Sequence, residues 1–299
     1  MATRIGPDLE AAADFMATHA RLLDRRRFEL LGGEADPDGV LAALDAYRNA
    51  DGGYGWGLEP DLRSPESQPG AAGHAFETIA EAGPTGGRRA AALCDWLDSA
   101  SLPDGGLPMA LPLGSGAGSA PWWQSADSSV SSLQITAFVA FHAERIAAGD
   151  ATVAAHPWLE RARRYCLDAI AAMDEPPFAY VLAFCVRFLD AAQDALPEAA
   201  ELLRKLAAYV PADGRIPVSG GAEGETLDPL DVAPYPDRPA RALFDAEVIA
   251  ADLDRLAAGQ REDGGWTVDY MKISPAGALE WRGYATVKAV DVLRRNGRA

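Results

Sequence analysis

The sequence predicts an all-α protein built from repeated pairs of helices. A short glycine-rich turn returns along the 299-residue chain, and its aspartate stands at Asp51, Asp104, Asp213 and Asp263. Two of the spacings are close to 50 residues, and the middle one is about twice as long. The sequence between the turns is helical in character, and no pair of segments has a convincing strand pattern. A period of this size is typical of repeat folds made of helical pairs.

The predicted helices follow one another with few breaks. Asp36-Pro37 opens one of them, because proline is harmless in the first turn of a helix. Gly83-Pro84 ends another. The segment 178–192 is apolar on nearly every side, which favours a central position. The predicted helices span 8–24, 36–48, 68–82, 88–99, 128–148, 157–172, 178–192, 197–209, 237–258 (with a break near Phe244) and 283–295.

The segment 213–236 is predicted as a loop rich in Gly, Pro and Asp. Its part from Val218 to Pro236 is long for structureless chain in a compact domain. It therefore either has a function or contains an element that the pattern does not reveal. Asp228, Asp231 and Asp237 could close over a ligand there, and a solvated acidic loop is the alternative.

The recurring turn has a physical role. Its aspartate side chain can accept hydrogen bonds from local backbone N–H groups, and its glycines supply the positive φ that reverses the chain. An aromatic residue after the glycines, such as Trp56 or Trp266, can pack over the turn.

Composition narrows the functional classes. The formal charge of −17 and the pI near 4.6 disfavour nucleic acid and anionic membrane surfaces as partners. No apolar run approaches the roughly 20 residues of a membrane-spanning helix, and residues 1–8 lack the apolar core of a signal peptide. Three scattered cysteines are expected to be reduced and buried. We therefore expect one cytoplasmic domain over residues 1–299, and no signal indicates an oligomeric state.

The turn at Gln260-x-x-Asp263-Gly264-Gly265-Trp266, followed by Thr286 in the segment 284–290, resembles the QW repeats of squalene–hopene cyclases. The segment 135–141 is similar to a second copy. At the level of the repeat, residues 37–295 resemble the terpenoid cyclase and protein prenyltransferase superfamily, and the segment 57–69 looks like a bacterial branch of it. The resemblance implies an αα-toroid of about ten to twelve helices, in which inner and outer helices surround a central cavity.

The chain departs from the catalytic motifs of this superfamily. It has no Asp-x-Asp-Asp acid motif, no Asp-Asp-x-x-Asp metal motif and no Asp-x-Cys zinc ligands after a turn. The four histidines have no metal-ligand spacing. We expect no metal and no cofactor.

The best acidic constellation is Glu59, Asp61 and Arg63, stiffened by Pro60 and Pro65. In an extended stretch, a spacing of two puts Glu59 and Asp61 on the same side. Burial could keep one carboxyl group protonated while Arg63 holds the other as the anion, which would make the first a general acid. The alternative is that the two acids cap the following helix and Arg63 bridges them.

Aromatic residues suggest a cavity wall. Their faces could stabilise a carbocation or stack against a sugar ring, although each alone could serve turn packing. His74 and His142 are expected on inner helices, where a hydrogen-bonded core role is the alternative. The predicted substrate-binding residues are Trp56, His74, Trp122, Trp123, Trp266, Tyr270 and Trp281.

These features lead to four functional hypotheses. The favoured one is a class II cyclase-like enzyme, of the isomerase or lyase type, that starts acid chemistry on an isoprenoid or another small apolar substrate. Glu59 or Asp61 would be the acid and Arg63 would orient it. The alternatives are a carbohydrate-active αα-barrel, a non-catalytic isoprenoid or lipid binder, and an interaction scaffold.

Overall fold

The computed structural model describes residues 6–299. Helices account for 57 % of the chain and strands for 3 %, which confirms the all-α prediction. Contacts group the chain into two compact units, one formed by residues 36–209 and the other by residues 6–35 together with 210–299. The toroidal arrangement and the single-domain organisation stay predictions. Within residues 6–299, none of the helices combines the length and the apolar character needed to cross a bilayer.

The helices run in chain order as follows: α1 (Leu9–His19), α2 (Leu22–Gly32), α3 (Pro37–Asp45), α4 (Pro69–Ala82), α5 (Gly87–Ala100), α6 (Pro121–Gln124), α7 (Leu133–Ala147), α8 (Ala151–Ala154), α9 (Pro157–Ala171), α10 (Ala179–Ala192), α11 (Ala199–Ala207), α12 (Pro229–Val232), α13 (Ala246–Ala258) and α14 (Pro275–Arg295). Two 3-10 helices, Gly83–Gly86 and Pro239–Leu243, lie among them, and strands β1 (Ile216–Pro217) and β2 (Thr226–Leu227) form an antiparallel pair.

In the unit 36–209, the helices α4, α7 and α10 form a central row, with α7 packed between the other two. Each has a partner on another side: α5 packs on α4, α9 on α7 and α11 on α10. The apolar segment 178–192 forms α10, at one end of this row. Close packing of α4 on α7 requires Gly73, because a Cβ atom at that residue would overlap the Phe138 ring.

The four predicted turns share one hydrogen-bonding scheme. In each, an oxygen of the aspartate accepts a hydrogen bond from the backbone N–H two residues ahead, at 3.0 to 3.2 Å. The glycine directly after each aspartate has a positive φ of 75° to 94°. The glycines are Gly52, Gly105, Gly214 and Gly264, so the repeat predicted from the sequence is present in the fold.

Two of these turns are also tied to the helix that follows, one near the start of α7 and the other midway along α14. Thr136 Oγ1 accepts a hydrogen bond from Leu107 N at 2.8 Å, and Thr286 Oγ1 accepts one from Trp266 N at 3.0 Å. Both threonines are buried. The threonine after the turn is thus a structural part of the repeat, since it holds the turn against its helix.

Several predicted boundaries were wrong. The helix expected over 8–24 is two helices, because Ala20 and Arg21 adopt extended backbone conformations between α1 and α2. The last helix begins at Pro275 and not at Gly283, and the Ser274 side chain caps it by accepting a hydrogen bond from Gly277 N. The break expected near Phe244 is confirmed, since Phe244 separates a 3-10 helix from α13.

The long loop predicted over 213–236 contains structure that the sequence pattern did not reveal. Strands β1 and β2 form a hairpin there, and α12 follows directly. Strands of two residues are too short for an alternation of apolar and polar residues to be visible in the sequence. A capping box between Asp228 and Asp231 starts α12.

Candidate active site

The predicted acidic residues Glu59 and Asp61, together with Arg63, lie between the first glycine-rich turn and α4. All of them belong to the unit 36–209. This segment was expected to be extended, but it folds into tight turns. Leu62 N donates to Glu59 O at 3.0 Å, and Trp56 N donates to Ser64 O at 2.8 Å. The positions of Glu59 and Asp61 therefore follow from turn geometry and not from strand alternation. Both acids are buried, at 6 % and 4 % exposure.

Glu59 bonds both to the backbone of Asp61 and to His74 on the helix α4. One of its carboxylate oxygens accepts a hydrogen bond from Asp61 N at 3.1 Å. The other lies 2.8 Å from His74 Nε2 on α4. Gln68 occupies the N-cap position of α4, and its side chain makes no capping hydrogen bond. Glu59 thus bonds the interior of α4 rather than its first turn.

His74 lies between two glutamates. Its Nδ1 is 3.6 Å from an oxygen of Glu77, which comes three residues later on the same helix and is fully buried. Burial by itself lowers the pKa of His74, but the hydrogen-bonded Glu59 and the nearby Glu77 outweigh it and raise that pKa to about 9. At neutral pH this favours the imidazolium form of His74, with Nε2 at 2.8 Å from Glu59 and Nδ1 at 3.6 Å from Glu77.

Aromatic rings on α7 and α10 cover this cluster. Phe138 meets the His74 ring edge-on, with centroids 5.4 Å apart. The chain of rings continues to Phe184 at 5.0 Å from Phe138, and then to Tyr180 at 6.1 Å from Phe184. Phe184 and Tyr180 are only partly buried. A continuous aromatic surface thus leads from the buried imidazolium to side chains within reach of solvent.

The loop before α6 is joined to the acidic segment by backbone hydrogen bonds. Ala120 N donates to Asp61 O at 2.8 Å, and Arg63 N donates to Ser119 Oγ at 2.8 Å. The connection places Trp123 against Gly70 of α4, where its ring would lie 3.3 Å from a Cβ atom. The Arg63 guanidinium, expected to orient one of the acids, lies beside Gly57.

The structure brings together only part of the predicted aromatic set. Trp123 is 7 % exposed and borders the acid cluster through α4, whereas its neighbour Trp122 is 41 % exposed.

Trp56 is 59 % exposed, and its indole N–H donates to Asn49 Oδ1 at 2.8 Å. Asn49 in turn lines a surface depression of about 410 Å³. Trp56 is the only residue other than glycine with a positive φ (57°) in the described chain.

The remaining predicted aromatics belong to the unit formed by residues 6–35 and 210–299. Trp266 is buried over its own turn, where its indole N–H donates to Leu256 O at 2.7 Å. Trp281 meets Tyr270 and Tyr284 edge-on, with centroids 5.1 and 5.4 Å away. Turn packing, the alternative considered above, accounts for Trp266.

The sequence did not single out Glu77, Phe138, Phe184 or Tyr180 as site residues. A signal for Glu77 was present, because it is an acidic residue three positions after His74 in a mainly apolar helix. His142, for which a core role was the alternative, is buried between the rings of Phe138 and Phe141. Within residues 6–299, no group of three or more His, Cys, Asp and Glu side chains is arranged to hold a metal ion.

Comparison with known proteins adds information about the fold. No protein-family model and no curated protein sequence matches the chain. Among solved structures, it is similar to the crystal structure of a protein from Actinoplanes, with a TM-score of 0.54 and 17 % sequence identity. The similarity covers 96 % of this chain and 88 % of the other. At this identity the match shows a shared fold.

Proposed function

We propose that this chain is an enzyme that starts acid chemistry on an apolar substrate, in the manner of a class II terpenoid cyclase, with Asp61 as the proton donor. The observation that supports this most is the buried group of Glu59, His74 and Glu77 next to Asp61. Charged and acidic groups of this kind are costly to bury, and they gather where a protein needs a fixed proton donor or a fixed field.

The contacts divide the roles of the two candidate acids. Both carboxylate oxygens of Glu59 are already engaged, one by the His74 ring at 2.8 Å and the other by Asp61 N at 3.1 Å. An imidazolium with a pKa of about 9 is itself far too weak an acid to protonate an alkene. Asp61 is the remaining buried acid of the segment, and its backbone N–H is fixed by Glu59. Glu59 and His74 are then positioning residues.

The proposed reaction conserves atoms. The proton of the Asp61 carboxyl group adds to one carbon of an alkene, and the π electron pair forms the new C–H bond. The resulting cation is attacked by a neighbouring double bond, which forms a C–C bond. Loss of a proton from the final cation restores the acid, so substrate and product are isomers. Aromatic faces near the site, among them Phe138 and Phe184, favour a cation by their negative electrostatic potential.

Thermal shift measurements and product analysis test this proposal. The purified chain is incubated with linear isoprenoids, isoprenoid diphosphates and oligosaccharides, and hits are analysed by mass spectrometry. We expect stabilisation by a linear isoprenoid and formation of a cyclised isomer. Asp61→Asn should abolish the product and leave the melting temperature within a few degrees, and Asp127→Asn on the exposed surface is the matched control.

The other results have definite meanings. Stabilisation by oligosaccharides alone would replace this proposal with the carbohydrate-active alternative. Binding of an isoprenoid without turnover would leave a non-catalytic binder. No response to any compound would favour the scaffold hypothesis.

A further inference from the structure

A second site of different chemistry lies in the unit formed by residues 6–35 and 210–299. A surface depression of about 320 Å³ is lined by three cationic side chains, Arg261, Lys272 and Arg282, together with Asp263 and Thr267. Such a concentration of positive charge is unusual here, because the chain has 44 acidic and only 27 basic side chains, and three of these are lysines.

Arg282 is the fixed member of the group. Its two terminal nitrogens donate to Asp263 at 2.7 and 2.8 Å, and its Nε donates to Trp266 O at 3.2 Å. Its guanidinium also lies 4.5 Å from the centre of the Phe15 ring. The pair of Arg282 and Asp263 is therefore close to neutral and forms a rigid wall of the depression.

The other two cations leave the depression with a net positive charge. Arg261 and Lys272 are exposed, and among the described residues neither forms an ion pair. Asp263 is already engaged by Arg282, so it does not compensate them. Both side chains are long enough to converge on a ligand seated in the depression.

From this arrangement we infer that the depression binds a small multivalent anion, of the phosphate or diphosphate class, between Arg261 and Lys272 and against the wall made by Arg282. A guanidinium matches two phosphate oxygens with a pair of N–H donors, and an ammonium adds a point charge. The inference is independent of the proposed acid chemistry, which uses residues of the other unit.

Isothermal titration calorimetry with inorganic pyrophosphate, at fixed ionic strength, tests the inference. We expect saturable binding to the unmodified chain and a loss of affinity of about tenfold or more in the double variant Arg261→Gln/Lys272→Gln. The matched control is Arg88→Gln/Arg164→Gln, which removes the same charge from two exposed arginines of the other unit. The control should bind within about twofold of the unmodified chain, since long-range charge effects are screened.

Backbone amide NMR spectra locate the site without relying on affinity. Added pyrophosphate should shift signals of residues 261–272 and 282 in the unmodified chain and leave those of the site variant unchanged. Three results would overturn the inference: no saturable binding at millimolar concentrations, equal losses in both double variants, or shifts confined to other segments. Because all four substituted side chains are exposed, both double variants should fold, which circular dichroism checks.

Discussion

His74 Nε2 lies 2.8 Å from Glu59 Oε2, and both side chains are buried within the unit 36–209. This bond links the turn after α3 to the middle of α4, fifteen residues further along the chain. Because Glu77 approaches the other ring nitrogen, the imidazolium has an acceptor on each side. The histidine is thus part of the charge arrangement of the site as well as of its packing.

The stability of the protein should fall as the pH rises through the pKa of His74. That pKa is about 9 in the folded chain against 6.5 for the free side chain. A raised histidine pKa stabilises the folded state fully below about pH 6.5, and this contribution is lost as the pH passes 9. Its upper limit is about 3 kcal/mol. Urea unfolding at pH 6.5 and 9.5 measures it.

The matched variant for this pH effect is His74→Gln, which cannot titrate. Its free energy of unfolding should change less between the two pH values than that of the unmodified chain. An identical change in both proteins would show that His74 does not carry the effect.

Glu77→Gln should lower the pKa of His74. The substitution keeps the shape of the side chain and removes one of the two negative charges that favour the imidazolium. NMR titration of the His74 ring measures the pKa directly. Glu160→Gln, on the exposed surface of α9, is the control and should leave it unchanged. An unaltered titration in Glu77→Gln would mean that Glu59 alone sets the charge state.

Gly73→Ala should destabilise the fold by about 1–3 kcal/mol, because the added methyl group overlaps the Phe138 ring between α4 and α7. Thermal and urea unfolding measure the change. The second substitution Phe138→Leu should restore part of the loss. Gly39→Ala in α3, where the space is adequate, should be neutral or slightly stabilising. Equal stability of Gly73→Ala and the unmodified chain would contradict the close packing of these helices.

Thr136→Val and Thr286→Val should each destabilise the protein by about 1–3 kcal/mol, since each leaves a backbone N–H of a turn without its acceptor. Thr→Ser at the same positions keeps the hydroxyl group and should cost less. Urea unfolding compares the four variants. If serine and valine have the same effect, the methyl group rather than the hydrogen bond matters.

The repeats and the turns could be predicted from the sequence because their determinants are local. An aspartate followed by glycine encodes both the side-chain acceptor and the positive φ that the turn requires. The acidic segment lies, as predicted, between the first turn and the following helix, but the prediction that it is extended was wrong. The left-handed backbone at Trp56 is rare for a bulky residue, and no local rule would have indicated it.

The composition of the acid cluster depended on tertiary contacts. Glu77 is fully buried on α4, and its burial beside the His74 ring depends on the tertiary packing of that helix. In the sequence, Phe138 and Phe184 cannot be distinguished from ordinary core residues. Their relation to His74 is set by the order of the helices in the central row, which a repeat pattern alone does not specify.

The threonine contacts have a consequence for how such a chain can diversify. The two bonded residues are 29 positions apart in one repeat and 20 in the other, yet in both a threonine of the following helix accepts the hydrogen bond from the turn. The loop between the turn and the following helix can therefore gain or lose residues while the bond from the turn to the threonine is kept. Exchanging the whole segment from a turn to its threonine is therefore the simplest way to introduce a new loop while the helix packing is kept.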